Sequence, residues 1–231
     1  MLFIIIIGFM IASLIVSTRL KNKFKKYAQT PLSTGLSGKE IAELMLADHK
    51  IHDVSVVSVP GKLTDHYNPA NKTVNLSPEV YEGRNAAAAA VASHECGHAV
   101  QHATAYSFLE FRSAMVPVQN ISAKIINFVF MAMFLGAFLL PSVLPFQTAI
   151  LIIIACYSVF TLFSFVTLPV EYDASNRAVA WIENRNIVNQ SELKMAKDAL
   201  NTAAMTYVVA ALSSLATLLY YVMLYMGGSR D

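Results

Sequence analysis

Charged residues fall in blocks along this chain, and the gaps between blocks give its first-order organisation. Met1 to Ser17, MLFIIIIGFMIASLIVS, carries no charge. It is short for a membrane-spanning helix but lies within the usual range of roughly 17–25 residues. Arg19, Lys21, Lys23, Lys25 and Lys26 follow it. A cleaved signal peptide has its positive charge before the apolar run and a small-residue cleavage site after it, so this order predicts a retained anchor. Ile125 to Val170 is charge-free over about 46 residues, enough for two spans of about 20 with a tight turn. The two prolines of PSVLPF, residues 141–146, predict that turn. Ala199 to Ser229 is a last charge-free run, with Tyr220, Tyr221 and Tyr225 fitting an aromatic belt near its outer end. Four spans result. The basic residues after the first predict both termini outside and Arg19 onward in the cytoplasm.

Between the spans the periodicity changes. In GKEIAELMLADH, residues 38–49, Ile41, Leu44 and Leu46 predict the buried face of an amphipathic helix. VSVVSV, a Pro-Gly turn and KTVNLS predict short strands, with LTDHYNPAN as a loop or hairpin tip between them. Ser77 followed by Pro78 marks a helix start. NAAAAAVASHECGHAVQHA, residues 85–103, predicts the strongest soluble helix, and its small side chains allow another element to approach closely. The expected fold is mainly α: a polytopic membrane protein of about four transmembrane helices with a cytoplasmic catalytic core and a small α+β lead-in. The expected organisation is an anchor over 1–18, a cytoplasmic catalytic segment over 19–113, a transmembrane hairpin over 114–168, a cytoplasmic helical segment over 169–203 and a last span over 204–226.

Composition agrees with this pattern. The chain of 231 residues is 55% hydrophobic and only 14% charged, against about 25% charged in a typical soluble domain. A net charge of +2 argues against a large nucleic-acid-binding face. The two cysteines, Cys96 and Cys156, form no disulfide framework.

The chemistry concentrates in SHECGHAVQH, residues 93–102. His94, Glu95 and His98 form H-E-x-x-H. On a helix, residues four apart lie on one face, about 6 Å apart along the axis. Two imidazoles at that spacing can converge on one zinc, and Glu95, beside the first, can act as base toward the water that such a zinc activates. His102 lies too far along the axis to share a metal with His94 at bond length. The extended pattern H-E-x-x-H-x-x-G-x-x-H is absent, since Gln101 and Thr104 occupy its last two fixed places. Cys96 points off the ligand face. Gly97 lowers helix propensity, which a close approach of metal or backbone would explain, as would mere tolerance.

A catalytic zinc usually takes three protein ligands and water. Topology directs the search for the third to LPVEYDASNRAVAW, residues 168–181, which returns to the same membrane face after the hairpin. Glu171 has the best claim because its segment is apolar-periodic and can pack across the zinc helix. Asp173, Glu183, Glu192 and Asp198 are rivals.

HECGHAVQH, then LPVEYDASNRA after a hairpin, with DHYNPANKTVNLSPEVYEGRNAAAAAVASHE as lead-in, resemble the YugP-like neutral zinc metallopeptidases of bacterial membranes. The resemblance implies a membrane-embedded, gluzincin-like zinc peptidase, laid out like the HtpX-type and CAAX prenyl proteases. It implies His94, His98 and Glu171 as ligands of one Zn2+ per chain, and Glu95 as general base. It also exposes a departure. Such enzymes often place an aspartate four residues after the ligand glutamate to orient a histidine, whereas here that position is Ser175 and the nearby acid is Asp173.

The expected function is therefore zinc-dependent hydrolysis of peptide bonds at the cytoplasmic face of a bacterial inner membrane. The expected partners are the lipid bilayer and a polypeptide substrate, a membrane protein or a chain brought to the membrane, with no nucleic acid. The alternative is a non-catalytic membrane protein with structural zinc, which has no need of a base at Glu95. Arg177, Tyr172, His66 and Tyr67 are the candidates for stabilising a developing oxyanion. KTVNLS is a candidate edge strand for pairing with extended substrate, or an ordinary packed strand.

Overall fold

A computed structural model describes residues 1–138 and 145–228. The described elements are α1 Leu2–Tyr27, α2 Gly38–Asp48, β1 Ser55–Ser58, β2 His66–Asn68, β3 Thr73–Leu76, α3 Pro78–Tyr81, α4 Ala86–Ala103, α5 Ser107–Phe138, α6 Phe146–Asn184 and α7 Gln190–Gly228. The chain is mainly helical with one small three-stranded sheet. Among the described residues, α1, α5, α6 and α7 are long and apolar enough to cross a membrane. Most of the turn expected at 141–146 lies outside the described residues.

Two compact units divide the chain. The first comprises Met1–Leu14, Phe111–Leu168 and Tyr207 to the C-terminus, and the second Ile15–Glu110 and Pro169–Thr206. The first is a helical bundle whose core holds Ile126, Val129, Ala149, Ile153, Cys156 and Tyr221. Tyr221 stacks on Tyr157, with ring centroids 5.6 Å apart. It therefore packs inward and does not belong to an outward-facing aromatic belt. A stacked aromatic pair buries more apolar area than a lone tyrosine at an interface, so packing wins at this position.

The second unit is built around α4, which contacts α2, α3, β2 and β3. Serine and glutamate begin α2 with a reciprocal cap: Glu40 N–H donates to Ser37 Oγ, and Ser37 N–H donates to Glu40 Oε2. Its buried side chains are Ile41, Ala42, Met45 and Leu46. Leu44 is only partly buried, which corrects the expected face. At about 100° per residue Met45 lies nearer than Leu44 to the line through Ile41. Gly38 opens this helix because nothing larger fits: an added Cβ would sit 2.2 Å from Val80 O on α3.

The sheet order is β1-β3-β2, with β1 parallel and β2 antiparallel to β3. KTVNLS thus forms the central strand and not an edge. The segment expected as a loop supplies the strand β2, whose three residues are too few to show alternation. Its register is held from outside: Asn75 Nδ2 donates to His66 O at 3.2 Å, and Asp65 accepts from Ser77 N–H at 2.7 Å.

Replacing Gly38 with Ala is expected to cost about 1–3 kcal/mol, as overpacking does. The check is the thermal midpoint in detergent, and an unchanged midpoint would mean that α3 yields freely.

Candidate metal centre

Helix α4 starts at Asn85, whose Oδ1 accepts from Ala88 N–H at 2.9 Å. Its alanines are buried almost throughout. This leaves room for α6, whose backbone comes close at Gly97: a Cβ there would lie 2.5 Å from Ala174 O. Close approach of backbone therefore accounts for the glycine. His94 contacts Ser175, and Gln101 contacts Val170 and Asp173, so the two helices cross antiparallel. Glu171 lies about one turn from Ala174, toward the His94–His98 face.

The crossing gathers His94, His98 and Glu171, one possible ligand atom from each lying within 4.8 Å of the others. His94 Nε2 is 3.4 Å and His98 Nε2 3.6 Å from Glu171 Oε2. The two imidazoles meet edge to face, 4.8 Å between centroids. Two ligands bound tetrahedrally to zinc at about 2.0–2.1 Å stand about 3.4 Å apart, so the spacing suits such an ion. Glu171 is 3% exposed, and its Oε2 is buried without a hydrogen-bond partner. The histidine contacts are at ion-pair distance but lack hydrogen-bond geometry. A buried carboxylate oxygen left unpaired is costly, and a cation between it and the two imidazoles would satisfy all three. The donor set of two nitrogens and one carboxylate is a known catalytic zinc set.

The other acids near in sequence are engaged elsewhere. Asp173 accepts from Arg177 Nε at 2.6 Å and from Gln101 Nε2 at 2.8 Å. Glu183 pairs with Lys197. Glu192 is buried and accepts from Ser33 N–H, Ser33 Oγ and Asn189 N–H. Asp198 binds Lys23 and Tyr27.

Around the triad, two groups address the histidines. Ser175 Oγ lies 3.1 Å from His94 Nδ1. Gln101, fully buried, places Oε1 3.0 Å from His98 Nδ1. Its Nε2 has two acceptors, Val170 O at 2.7 Å and Asp173 Oδ2. That fixes the amide's orientation, so the oxygen faces the imidazole and can only accept. His98 must then carry its proton on Nδ1, which turns the Nε2 lone pair toward Glu171. Sequence reasoning considered Gln101 only as a mismatch to a longer motif. Its position three residues after His98, on a helix crossed by another, was the signal available. Burial works against the charged imidazolium of His98, but Glu171 and Glu95 beside it outweigh this and raise its pKa.

Glu95, also buried, accepts from Tyr67 N–H at 3.0 Å. Tyr67 OH lies 2.7 Å from His102 Nδ1, so His102 braces β2 and stands outside the triad. Cys96 turns its sulfur toward Ala42 O on α2, and burial pushes its thiol pKa up. Among the expected oxyanion candidates, His66 contacts Thr64 O and Arg177 lies over the Tyr106 ring. Tyr172 is exposed.

The chain thus combines an H-E-x-x-H helix, crossed by a glutamate-bearing helix at a group that could hold a metal ion, with four helices among the described residues that are long and apolar enough to cross a membrane. The family described as "Putative neutral zinc metallopeptidase" matches residues 2–226, and the chain belongs to it. The chain is 39% identical over 213 residues to the "Putative membrane protease YugP" of Bacillus subtilis (strain 168), covering 92% of this chain and 91% of that one. No solved structure matches it.

Two outcomes are expected at this centre. Gln101→Leu should weaken zinc binding about 10–100-fold, as loss of a ligand's orienting partner does, measured by competition with a chelator. An unchanged affinity would show that the amide does not orient His98. Zinc affinity should also fall as pH is lowered from about 8 to 6, because binding requires neutral imidazole and the raised pKa of His98 favours its proton. A flat profile across that window would contradict this.

Proposed function

We propose that this chain is a membrane-embedded, zinc-dependent peptidase that hydrolyses peptide bonds at the cytoplasmic face of a bacterial inner membrane. The observation that carries this reading is Glu171 Oε2, buried without a hydrogen-bond partner and 3.4 and 3.6 Å from the Nε2 atoms of His94 and His98. In this reading those three residues hold one zinc per chain. A structural site is normally closed by four protein ligands, whereas the group gathered among the described residues has three. When bound, zinc supplies Lewis acidity, bringing the pKa of a water down to about 7 and polarising a carbonyl.

The chain's own residues do the rest. Glu95 accepts the proton of the attacking water on its carboxylate and delivers it to the leaving amine. The Tyr67 N–H donates to Glu95 Oε2 at 3.0 Å and so fixes the orientation of the carboxylate that acts as base. Gln101 holds the imidazole of His98 in one tautomer, and Ser175 contacts Nδ1 of His94.

Membrane placement is supported by the four long apolar helices and by the name of the Bacillus subtilis relative. The basic run from Arg19 to Lys26 supports a cytoplasmic active site. Glu171 is the first charged residue after the charge-free run within α6. That proximity in sequence favours membrane proteins, or chains brought to the membrane, as substrates.

The test joins metal analysis to cleavage. Detergent-purified wild type should hold about one zinc per chain, and His98→Ala should lose it. Glu95→Gln should keep the metal and lose about 10²–10⁴-fold in cleavage of an unfolded membrane-protein substrate, the range general-base catalysis supplies. A Glu95→Gln protein as active as wild type, or a wild type that takes up no zinc, would overturn the proposal.

A further inference from the structure

Helix α1 ends in a charged patch that the metal centre and its supports do not use. Arg19, Lys21, Lys23, Lys25 and Lys26 all lie in the part of α1 that belongs to the second unit. Their surroundings differ. Lys23 Nζ donates to Asp198 Oδ1 at 2.7 Å and to Thr202 Oγ1 at 2.9 Å. Tyr27 is buried, and its hydroxyl donates to Asp198 Oδ2 at 2.5 Å. Phe24 packs against the core of the same unit. Arg19, Lys21, Lys25 and Lys26 are exposed. None of these four has an ion-pair partner among the described residues.

Helical phase explains the difference. At about 100° per residue, Lys23, Phe24 and Tyr27 fall within one sector of about 100°. The four exposed cations spread over about 160° on the other side. Lys26 stands at the border, its Nζ 6.0 Å from the centroid of the Tyr27 ring. One side of this segment is therefore clamped to α7, and the other presents cations with no acid of the chain on them. The rest of the second unit has the opposite sign. Outside residues 19–26 it carries nine Lys and Arg against fourteen Asp and Glu.

What precedes the patch indicates what meets it. Helix α1 runs without a break from its apolar turns into the basic ones. None of its most apolar stretch is buried in the fold, and Phe3, Ile4, Met10, Ile11 and Leu14 are exposed. The charge-free run Met1 to Ser17 is about 26 Å long as helix, close to the hydrocarbon thickness of a bilayer, roughly 30 Å. Arg19 to Lys26 covers about the next 10 Å. With the apolar run in a bilayer, that length takes in the headgroup layer and the water just beyond it. The long stems of Lys and Arg let their charges settle among headgroups. A rigid acidic partner would meet one strip of the helix. Cations spread over half its circumference suit small mobile anions that gather around it.

We infer that the exposed side of α1 formed by Arg19, Lys21, Lys25 and Lys26 is a binding surface for the headgroups of anionic phospholipids. Their phosphates take the place of the acids that these four cations lack within the chain. Lys23 and Tyr27, held on Asp198 from the other side, tie that surface to the unit that contains the metal centre. The rest of that unit is acidic and is repelled by the same lipids, so this segment is where it meets them. The inference rests on the membrane placement proposed above, and not on the zinc site.

The experiment uses the full chain in phosphatidylcholine vesicles. A fluorescence donor is attached at Asn22→Cys, an exposed position on the same side, while Cys96 and Cys156 are buried. Acceptor-labelled phosphatidylglycerol or acceptor-labelled phosphatidylcholine is added as a trace. Phosphatidylglycerol should be enriched at the donor about fivefold or more over phosphatidylcholine, since each cation near an anionic surface contributes about that factor. Replacing Arg19, Lys21, Lys25 and Lys26 together with Gln should bring the ratio to about one. Raising sodium chloride to about 1 M should do the same on the unreplaced sequence, because the screening length falls to about 3 Å. That arm decides the matter if the Gln protein fails to insert. Equal enrichment of the two lipids, or a preference that survives both the Gln replacements and the salt, would overturn the inference. Loss of the preference on adding inorganic phosphate, at an ionic strength where chloride leaves it intact, would assign the surface to a free anion and overturn it. So would a polyglutamate peptide that holds the surface against phosphatidylglycerol, which would identify an acidic protein as the occupant. Extraction of the protein from the vesicles by alkaline carbonate would overturn the membrane placement and this inference together.

Discussion

The approach of two backbones at Gly97 is the constraint on which the candidate site depends. A side chain at that position would collide with Ala174 O. With hydrogen there, α6 settles close enough for Glu171 to enter the space between His94 and His98. The same closeness lets Gln101 reach the Val170 carbonyl and Asp173. Small residues on both helices meet here, Gly97 on α4 against the backbone of Ala174 on α6. The loss of helix propensity at Gly97, about 1 kcal/mol against alanine, is the cost of a metal-sized space made from two helices.

The polar groups around that space are satisfied, with one exception. Gln101 bonds at both ends of its amide, Glu95 has a backbone donor, and Asp173 has two partners. Only Glu171 Oε2 is left over. In a surround so fully paired, an unpaired buried oxygen facing two imidazoles is the feature on which the proposed metal site rests. The carboxylate that usually orients a zinc-binding histidine directly is here one amide removed, as Asp173–Gln101–His98. Its charge still polarises the amide, but over a greater distance and without a proton that can move onto the acid.

The sequence made some of this legible and not the rest. The His94–Glu95–His98 spacing could be read because it is local: one helical period places two imidazoles on one face. Glu171 was reachable because two charge-free stretches in succession, read as a hairpin, imply a return to the membrane face the chain left. Gln101 could not be assigned, since its role depends on which backbone atoms of α6 pass nearby. The strand β2 was missed because three residues are too few for alternation, and its register comes from Asn75 and Asp65. The face of α2 was misjudged at Leu44, where hydrophobicity was clear and helical phase was not. Tyr221 looked interfacial because a tyrosine near the end of an apolar run is compatible with either environment. Its stacking on Tyr157 is a tertiary fact.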